Sequence, residues 1–292
     1  MTSMPAAIAL QGLTKRFGPD RGVFDVGFEV QEGAIFGFLG PNGAGKTTLI
    51  RLMLAYLRPD AGRATVLGLD AQRDPVAIRR RLGYVPAELK LDEEGTALAL
   101  LKYLAGYRPP GALARAKELA ERLELRLDGR IKTYSKGMKQ KVALIQAMMH
   151  DPELLILDEP TEGLDPLMQH ALHELLREAA GRGRTVFFSS HQLAEVDVLC
   201  DAVAIIGRGK LLAHEDVATL RSRRRRILRI VLTEPVTPAI PGGTLVRQDG
   251  LVATFHYTGE AAGLLQALAG LPLADFTLEP APLEETFLEY YK

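Results

Sequence analysis

The sequence predicts an α/β domain carrying a nested helical insert, followed by a small α+β domain. Three observations carry that prediction. An apolar run at residues 34–39 passes through a glycine-rich turn into a helix-forming stretch at 47–57. Two later apolar runs, 154–157 and 185–188, end in polar residues, as buried parallel strands do. The pattern then changes twice, to helix formers between residues 88 and 150, and to alternation with proline-rich breaks after about residue 215.

The elements follow in order. Residues 8–10 and 23–30 read as short strands ahead of the apolar strand 34–39. The strand–turn–helix sequence that follows opens an α/β arrangement. Residues 97–103 and 112–125 are rich in Leu, Ala, Glu, Lys and Arg, all favourable in helices, and Arg108-Pro109-Pro110-Gly111 interrupts them. In the C-terminal part, a basic run, Arg221-Ser222-Arg223-Arg224-Arg225-Arg226, precedes a strand at 227–232. Residues 234–241 are proline-rich and read as a loop. Asp249-Gly250 between alternating stretches at 244–247 and 251–257 signals a hairpin. A helix at 261–269, a strand at 276–278 and a last helix at 283–290 complete this part. The expected boundaries are 1–215 for the α/β domain, with the insert at about 88–150, and 216–292 for the accessory domain.

Bulk composition limits the function classes. Lys+Arg and Asp+Glu balance at 36 each, which removes any general electrostatic pull toward nucleic acid. Cys200 is the single cysteine, so no intramolecular disulfide forms and a reducing cytoplasm suits the chain. No apolar run reaches the ~18–20 residues a membrane-spanning helix needs, so a membrane role calls for a partner chain. Residues 1–10 have neither a basic start nor an apolar stretch, and a secretory leader is not expected.

Gly40-Pro41-Asn42-Gly43-Ala44-Gly45-Lys46-Thr47-Thr48 fits G-x-x-x-x-G-K-[ST] between a strand and a helix, the context this motif requires. Glycines let the backbone curl so that successive N–H groups face a phosphate, and the following helix adds its positive end. Lys46 can then reach the β- and γ-phosphates of ATP, and the Thr47 hydroxyl can ligate Mg²⁺. Leu154-Leu155-Ile156-Leu157-Asp158-Glu159 is an apolar strand that delivers two carboxylates to the same sheet edge. Asp158 is the candidate Mg²⁺ holder, and Glu159 the candidate base for the attacking water.

On these motifs, residues 7–215 resemble the nucleotide-binding subunit of ABC transporters. That resemblance implies a cytoplasmic ATPase, peripheral at the inner face of the membrane. It also implies a homodimer with each ATP sandwiched between two chains, driving an integral-membrane permease. The family's signature, usually Leu-Ser-Gly-Gly-Gln, corresponds to Tyr134-Ser135-Lys136-Gly137-Met138, where Ser135 and Gly137 match. The likeness makes Ser135 and Gly137 the start of a helix, running to about residue 149, that faces the γ-phosphate held by the other subunit. It places Asp165 in the inter-subunit loop, His191 at the γ-phosphate and Phe17 against adenine.

The sequence departs from the family at Ala87, where a glutamine usually touches Mg²⁺ and water. Glu88 either takes over that role or caps the following helical segment. Pro282-Leu283-Glu284-Glu285-Thr286-Phe287-Leu288 resembles the extension on ATPase subunits of bacterial drug- and lipid-type exporters whose permease is a separate chain. The arginine run at 221–226 is either a contact for anionic lipid or a solvated, self-repelling linker. One phosphate loop and no sustained heptads set the chain apart from the two-cassette relatives that act in translation or repair. The signature, Asp165 and His191 set it apart from P-loop kinases.

Overall fold

The computed structural model describes residues 6–222 and 226–281. The helix expected at 283–290, the likeness at 282–288 and arginines 223–225 lie outside the described residues. The chain divides into two compact units, Met1–Val217 and Ala218–Lys292.

The first unit opens with β1 (Ala6–Arg16), β2 (Gly22–Gln31), β3 (Ile35–Leu39), α1 (Lys46–Met53), β4 (Ala61–Val66), β5 (Leu69–Asp70), α2 (Pro75–Arg81) and β6 (Leu82–Val85). Three helices follow, α3 (Ala97–Ala105), α4 (Ala112–Arg122) and α5 (Lys136–Met148). The chain then returns through β7 (Leu154–Asp158), α6 (Pro166–Gly181), β8 (Thr185–Ser190), α7 (Leu193–Leu199), β9 (Ala202–Gly207) and β10 (Lys210–Asp216).

Two sheets form the frame. One is antiparallel, in the order β2-β1-β4-β5; the other, β10-β9-β3-β8-β7-β6, is parallel from β9 to β6. The strands β3, β7 and β8 are buried along their whole length, which explains why they carry uninterrupted apolar runs rather than alternation. Phe28 of β2 stacks on Phe36 of β3 at 5.3 Å between ring centroids and lies 6.4 Å from Phe187 of β8. These rings join the two sheets, and burying each one contributes on the order of 1.5–3 kcal/mol.

The insert is built of capped helices tied to the core. Thr96 caps α3 by accepting from the Ala99 N–H at 3.2 Å, and Ser135 caps α5 by accepting from Met138 at 3.2 Å. Each such cap stabilises its helix by about 1 kcal/mol. Arg122 of α4 grips Glu178 of α6 with two hydrogen bonds of 2.6 and 2.7 Å. Asp151, just before β7, receives Arg184 at 2.6 Å and Arg115 of α4 at 3.1 Å.

Several elements differ from expectation. The helix predicted at 47–57 ends at Met53, because Ala55 turns left-handed (φ 55°) and the Tyr56 and Leu57 N–H groups fold back on the Arg51 carbonyl. Strand β1 is much longer than 8–10, since it pairs on both sides and carries register shifts between Leu10 and Lys15 that break its apolar pattern. Sequence patterning does not pick out β4, β5, α2, α6, α7, β9 or β10. The capping role considered for Glu88 fails, because the next helix starts at Ala97 under the Thr96 cap.

The chain passes out of β10 through α8 (Val217–Ser222). In the second unit, β11 (Arg226–Leu232), β12 (Gly243–Asp249), β13 (Val252–Tyr257), α9 (Ala261–Ala269) and β14 (Leu273–Pro280) follow. Its antiparallel sheet runs β12-β13-β11-β14. The Asp249-Gly250 hairpin joins β12 to β13, with Gly250 at φ 58°. Leu264 and Leu268 of α9 pack on Leu228, Ile230, Phe255 and Tyr257 of the sheet.

Candidate active site

Strand order builds the site. Because β3, β8 and β7 are parallel neighbours, their C-terminal ends open on one edge and bring residues 40, 158–159 and 189–191 together. The phosphate-loop motif leaves β3 at that edge and enters α1. Gly43 and Gly45 sit at φ 80° and 111°, which only glycine adopts without strain, and this curls the loop. Ala44 is buried behind it; its N–H donates to the Pro41 carbonyl at 3.1 Å, and its own carbonyl accepts from Gly209 at 2.9 Å.

Lys46 is buried, and its ammonium donates to the Gly40 carbonyl at 2.6 Å and the Pro41 carbonyl at 3.3 Å. It also faces Glu159 Oε1 at 3.1 Å, an ion pair that does not complete a hydrogen bond. The other Glu159 oxygen, Oε2, meets His191 Nδ1 at 2.6 Å. Thr47 Oγ1 donates to Asp158 Oδ2 at 2.7 Å. Asp158 is fully buried, and that burial raises its pKa above the usual carboxylate range, while hydrogen bonds from Ser189 and Thr47 oppose the rise. Lys46, Glu159 and His191 thus form one set and Thr47 and Asp158 another, and the Ser189 hydroxyl joins them by bridging Asp158 and the Glu159 N–H.

A cleft of about 650 Å³ opens over this cluster, lined by Asn42, Gly43, Gly45, Thr47, Thr48 and His191. Phe17 lines it too, just past β1, and is 51 % exposed, so one ring face is free for a flat partner. Ala87 lines the wall and presents only a methyl group there, whereas Glu88 is exposed and is not part of the lining.

Ser135, Gly137 and Asp165 are not brought to this cleft. Ser135 starts α5. Two residues on, Gly137 lies so close to the neighbouring loop that a β-carbon there would come within 2.4 Å of the Gly163 carbonyl oxygen. Asp165 caps α6, accepting from the Met168 N–H at 3.0 Å. Between these elements Lys136 pairs with Glu162 at 2.5 Å, and Glu162 also lines the cleft.

The sequence reading misses Ser189. Its hydroxyl donates to Asp158 Oδ1 at 2.6 Å and accepts from the Glu159 N–H at 3.1 Å. The available signal was a pair of serines ending an apolar strand immediately before His191. It also misses Gln140, whose side chain donates to the Pro160 carbonyl at 2.9 Å and ties α5 to the loop after β7.

A glycine-rich loop after a parallel strand, a lysine beneath it and an acidic pair on the adjoining strand end define a nucleoside-triphosphatase of the P-loop type. The ABC transporter family model matches residues 23–162. A daunorubicin resistance ATP-binding protein of Streptomyces coeruleorubidus is 34 % identical, covering 97 % of this chain and 95 % of that protein. A Nod factor export ATP-binding protein I of Mesorhizobium japonicum is 37 % identical, covering 97 % and 86 % respectively. The solved structure of an ATP-binding subunit of an ABC transporter superposes with a TM-score of 0.69 at 31 % identity, covering 74 % of this chain and 92 % of that one. The chain belongs to the ABC transporter family, as an ATP-binding and ATP-hydrolysing subunit.

Proposed function

We propose that this subunit works as a homodimer that closes around two ATP molecules and drives a separate integral-membrane permease, in the direction of export. The chemistry of the reading is carried by the Lys46–Glu159–His191 chain of contacts at 3.1 and 2.6 Å at the mouth of a phosphate loop, and the second copy by Ser135, Gly137 and Asp165 lying outside that cleft. Among the described residues no helix is long and apolar enough to cross a membrane, so the membrane path has to come from the permease. The subunit would then sit at the cytoplasmic face. Export rests on the names of relatives such as the Nod factor export protein.

In this reading Phe17 stacks on adenine and residues 40–48 wrap the phosphates. Lys46 and His191 face the charge that builds on the γ-phosphate. Glu159 takes a proton from water as the water oxygen bonds to the γ-phosphorus. The bond to the bridging oxygen then breaks, giving ADP and phosphate. Ser135, Gly137 and Asp165, which are not part of the lining of their own cleft, complete the site of the partner copy.

The residues present fit Mg²⁺. Thr47 Oγ1 and Asp158 Oδ2 are hard oxygen donors 2.7 Å apart. Among the described residues no group of three or more His, Cys, Asp or Glu side chains is arranged to hold a metal by itself. An ion held by one hydroxyl and one carboxylate, with phosphate and water filling its other positions, is the usual Mg²⁺ arrangement. When bound, that ion would neutralise charge on the phosphates.

Attachment through a permease is tested by fractionation. Co-expressed with its permease, the chain should sediment with membranes, and expressed alone it should stay in the supernatant. Membrane binding by the chain alone would overturn the permease as its anchor.

The accessory part, residues 216–292, is expected to be dispensable for ATP binding, because every cleft residue lies in the first unit. A chain with residues 216–292 removed should titrate with ATP as the full chain does. A folded truncation that no longer binds ATP would show that the tail completes the site.

Glu88 lies outside the cleft lining, so Glu88→Ala should leave hydrolysis within about twofold across a magnesium titration, as for other surface changes. That leaves water opposite the Ala87 methyl. A tenfold loss with a shifted magnesium requirement would place Glu88 at the ion instead.

A further inference from the structure

We propose that Ser189 is the positioning residue that sets Glu159 against the attacking water. This rests on the reading of Glu159 as the base. Glu159 stands at φ 52°, a left-handed backbone conformation that is unfavourable for a non-glycine residue. It therefore needs something to hold it there. Its N–H donates to both oxygens of one residue, the Ser189 hydroxyl at 3.1 Å and the Ser189 carbonyl at 3.2 Å.

The same hydroxyl donates its proton to Asp158 Oδ1 at 2.6 Å. A serine hydroxyl has one proton and two lone pairs, so it can give to Asp158 and receive from Glu159 at once. The two contacts fix its orientation, and Ser189 is completely buried, with no water to replace either bond. Register makes the arrangement possible, since Asp158 of β7 lies directly beside Ser189 of β8 in the parallel ladder.

The geometric consequence is specific. With Asp158 Oδ1 occupied by Ser189, Oδ2 is left for the Thr47 side of the site. With the Glu159 N–H anchored, the backbone turns its carboxylate into the space between Lys46 and His191, which it meets at 3.1 and 2.6 Å. Without the hydroxyl, the carbonyl contact remains but the left-handed turn loses one of its two restraints. The Glu159 carboxylate then wanders while the phosphate loop, held by its own backbone bonds, stays in place. Binding and chemistry should therefore separate.

Three variants test this. Ser189→Ala removes the hydroxyl, and Ser189→Cys keeps nearly the same volume with a much weaker donor and acceptor. Both are expected to lower kcat at saturating ATP by about 10- to 100-fold, the loss typical when a supporting hydrogen bond behind a working group is removed. Nucleotide affinity, titrated directly in EDTA, should stay within about twofold, and unfolding temperatures should stay close to wild type. Wild-type kcat in Ser189→Cys would overturn the proposal, because volume alone would then suffice. An equal loss of nucleotide affinity and kcat would overturn it too, by showing a general collapse of the site. Glu159→Gln is the comparator. If it hydrolyses ATP normally, the reading of Glu159 fails; if it is inactive while both Ser189 variants are normal, only the role of Ser189 fails.

Discussion

Lys46→Ala should lower ATP affinity by two to three orders of magnitude in a direct titration. Lys46 is the buried cation beneath the loop, and its ammonium is held within 2.6 Å of the Gly40 carbonyl, facing the cleft. A charge-assisted contact to phosphate in a partly dry site is far stronger than the same contact at an exposed surface. Removing one member of such a buried charged contact costs about 2–5 kcal/mol, or about 30- to 5,000-fold, a range that brackets the expected loss. The fold should survive. The loop keeps its own backbone bonds, Ala44 to Pro41 at 3.1 Å and Leu49 to Gly45 at 3.0 Å. Two side-chain bonds to the loop carbonyls disappear, at about 1 kcal/mol each, so the unfolding temperature should fall by a few degrees. Unchanged affinity in a folded Lys46→Ala protein would put the nucleotide somewhere other than this cleft.

The phosphate loop and the Asp158-Glu159 pair were legible in the sequence because their information is contiguous. Nine adjacent residues state the loop, and a four-residue apolar run, 154–157, states where the carboxylates must emerge. The hairpin at Asp249-Gly250 was legible for the same local reason, a turn dipeptide between alternating stretches. Ser189 was not legible. A serine near the end of a strand has no pattern of its own, and its importance appears only when β7 and β8 are laid side by side in register. The same non-locality hid β4, whose partner β1 lies some fifty residues earlier in the chain. Helix α6 carried ordinary start signals, Asp165 as cap and Pro166 in its first turn. The family likeness assigns Asp165 to the inter-subunit loop, and the cap does not conflict with that, since only Oδ1 is used.

The proposed homodimer would bring together what geometry within one chain leaves apart. Ser135, Gly137 and Asp165 sit on the start of α5 and of α6, while Lys46, Glu159 and His191 sit on the sheet edge. Gly137 packs tightly on the Gly163 loop, which brings the two starts side by side. In the proposed homodimer a second copy would supply that piece to the cleft, and hydrolysis would then have a visible mechanical outcome.

That outcome sets the second large effect, in Glu159→Gln. Glutamine has nearly the shape of glutamate but cannot accept the water's proton, and removing a general base typically costs about 10²–10⁴-fold in rate. ATP affinity should hold or rise. Lys46 now faces Glu159 Oε1 at 3.1 Å, and a neutral amide there leaves the whole ammonium charge for phosphate. His191 keeps a hydrogen-bonding partner at the position where Oε2 now lies 2.6 Å away, so the cleft's wall should persist. With binding intact and turnover stalled, ATP remains between two chains, and the protein should sediment as a dimer with ATP and Mg²⁺ and as a monomer without nucleotide. A monomer at saturating ATP and tens of micromolar protein would count against the sandwich. A dimer that forms equally well in Lys46→Ala would show that association does not depend on the nucleotide at all.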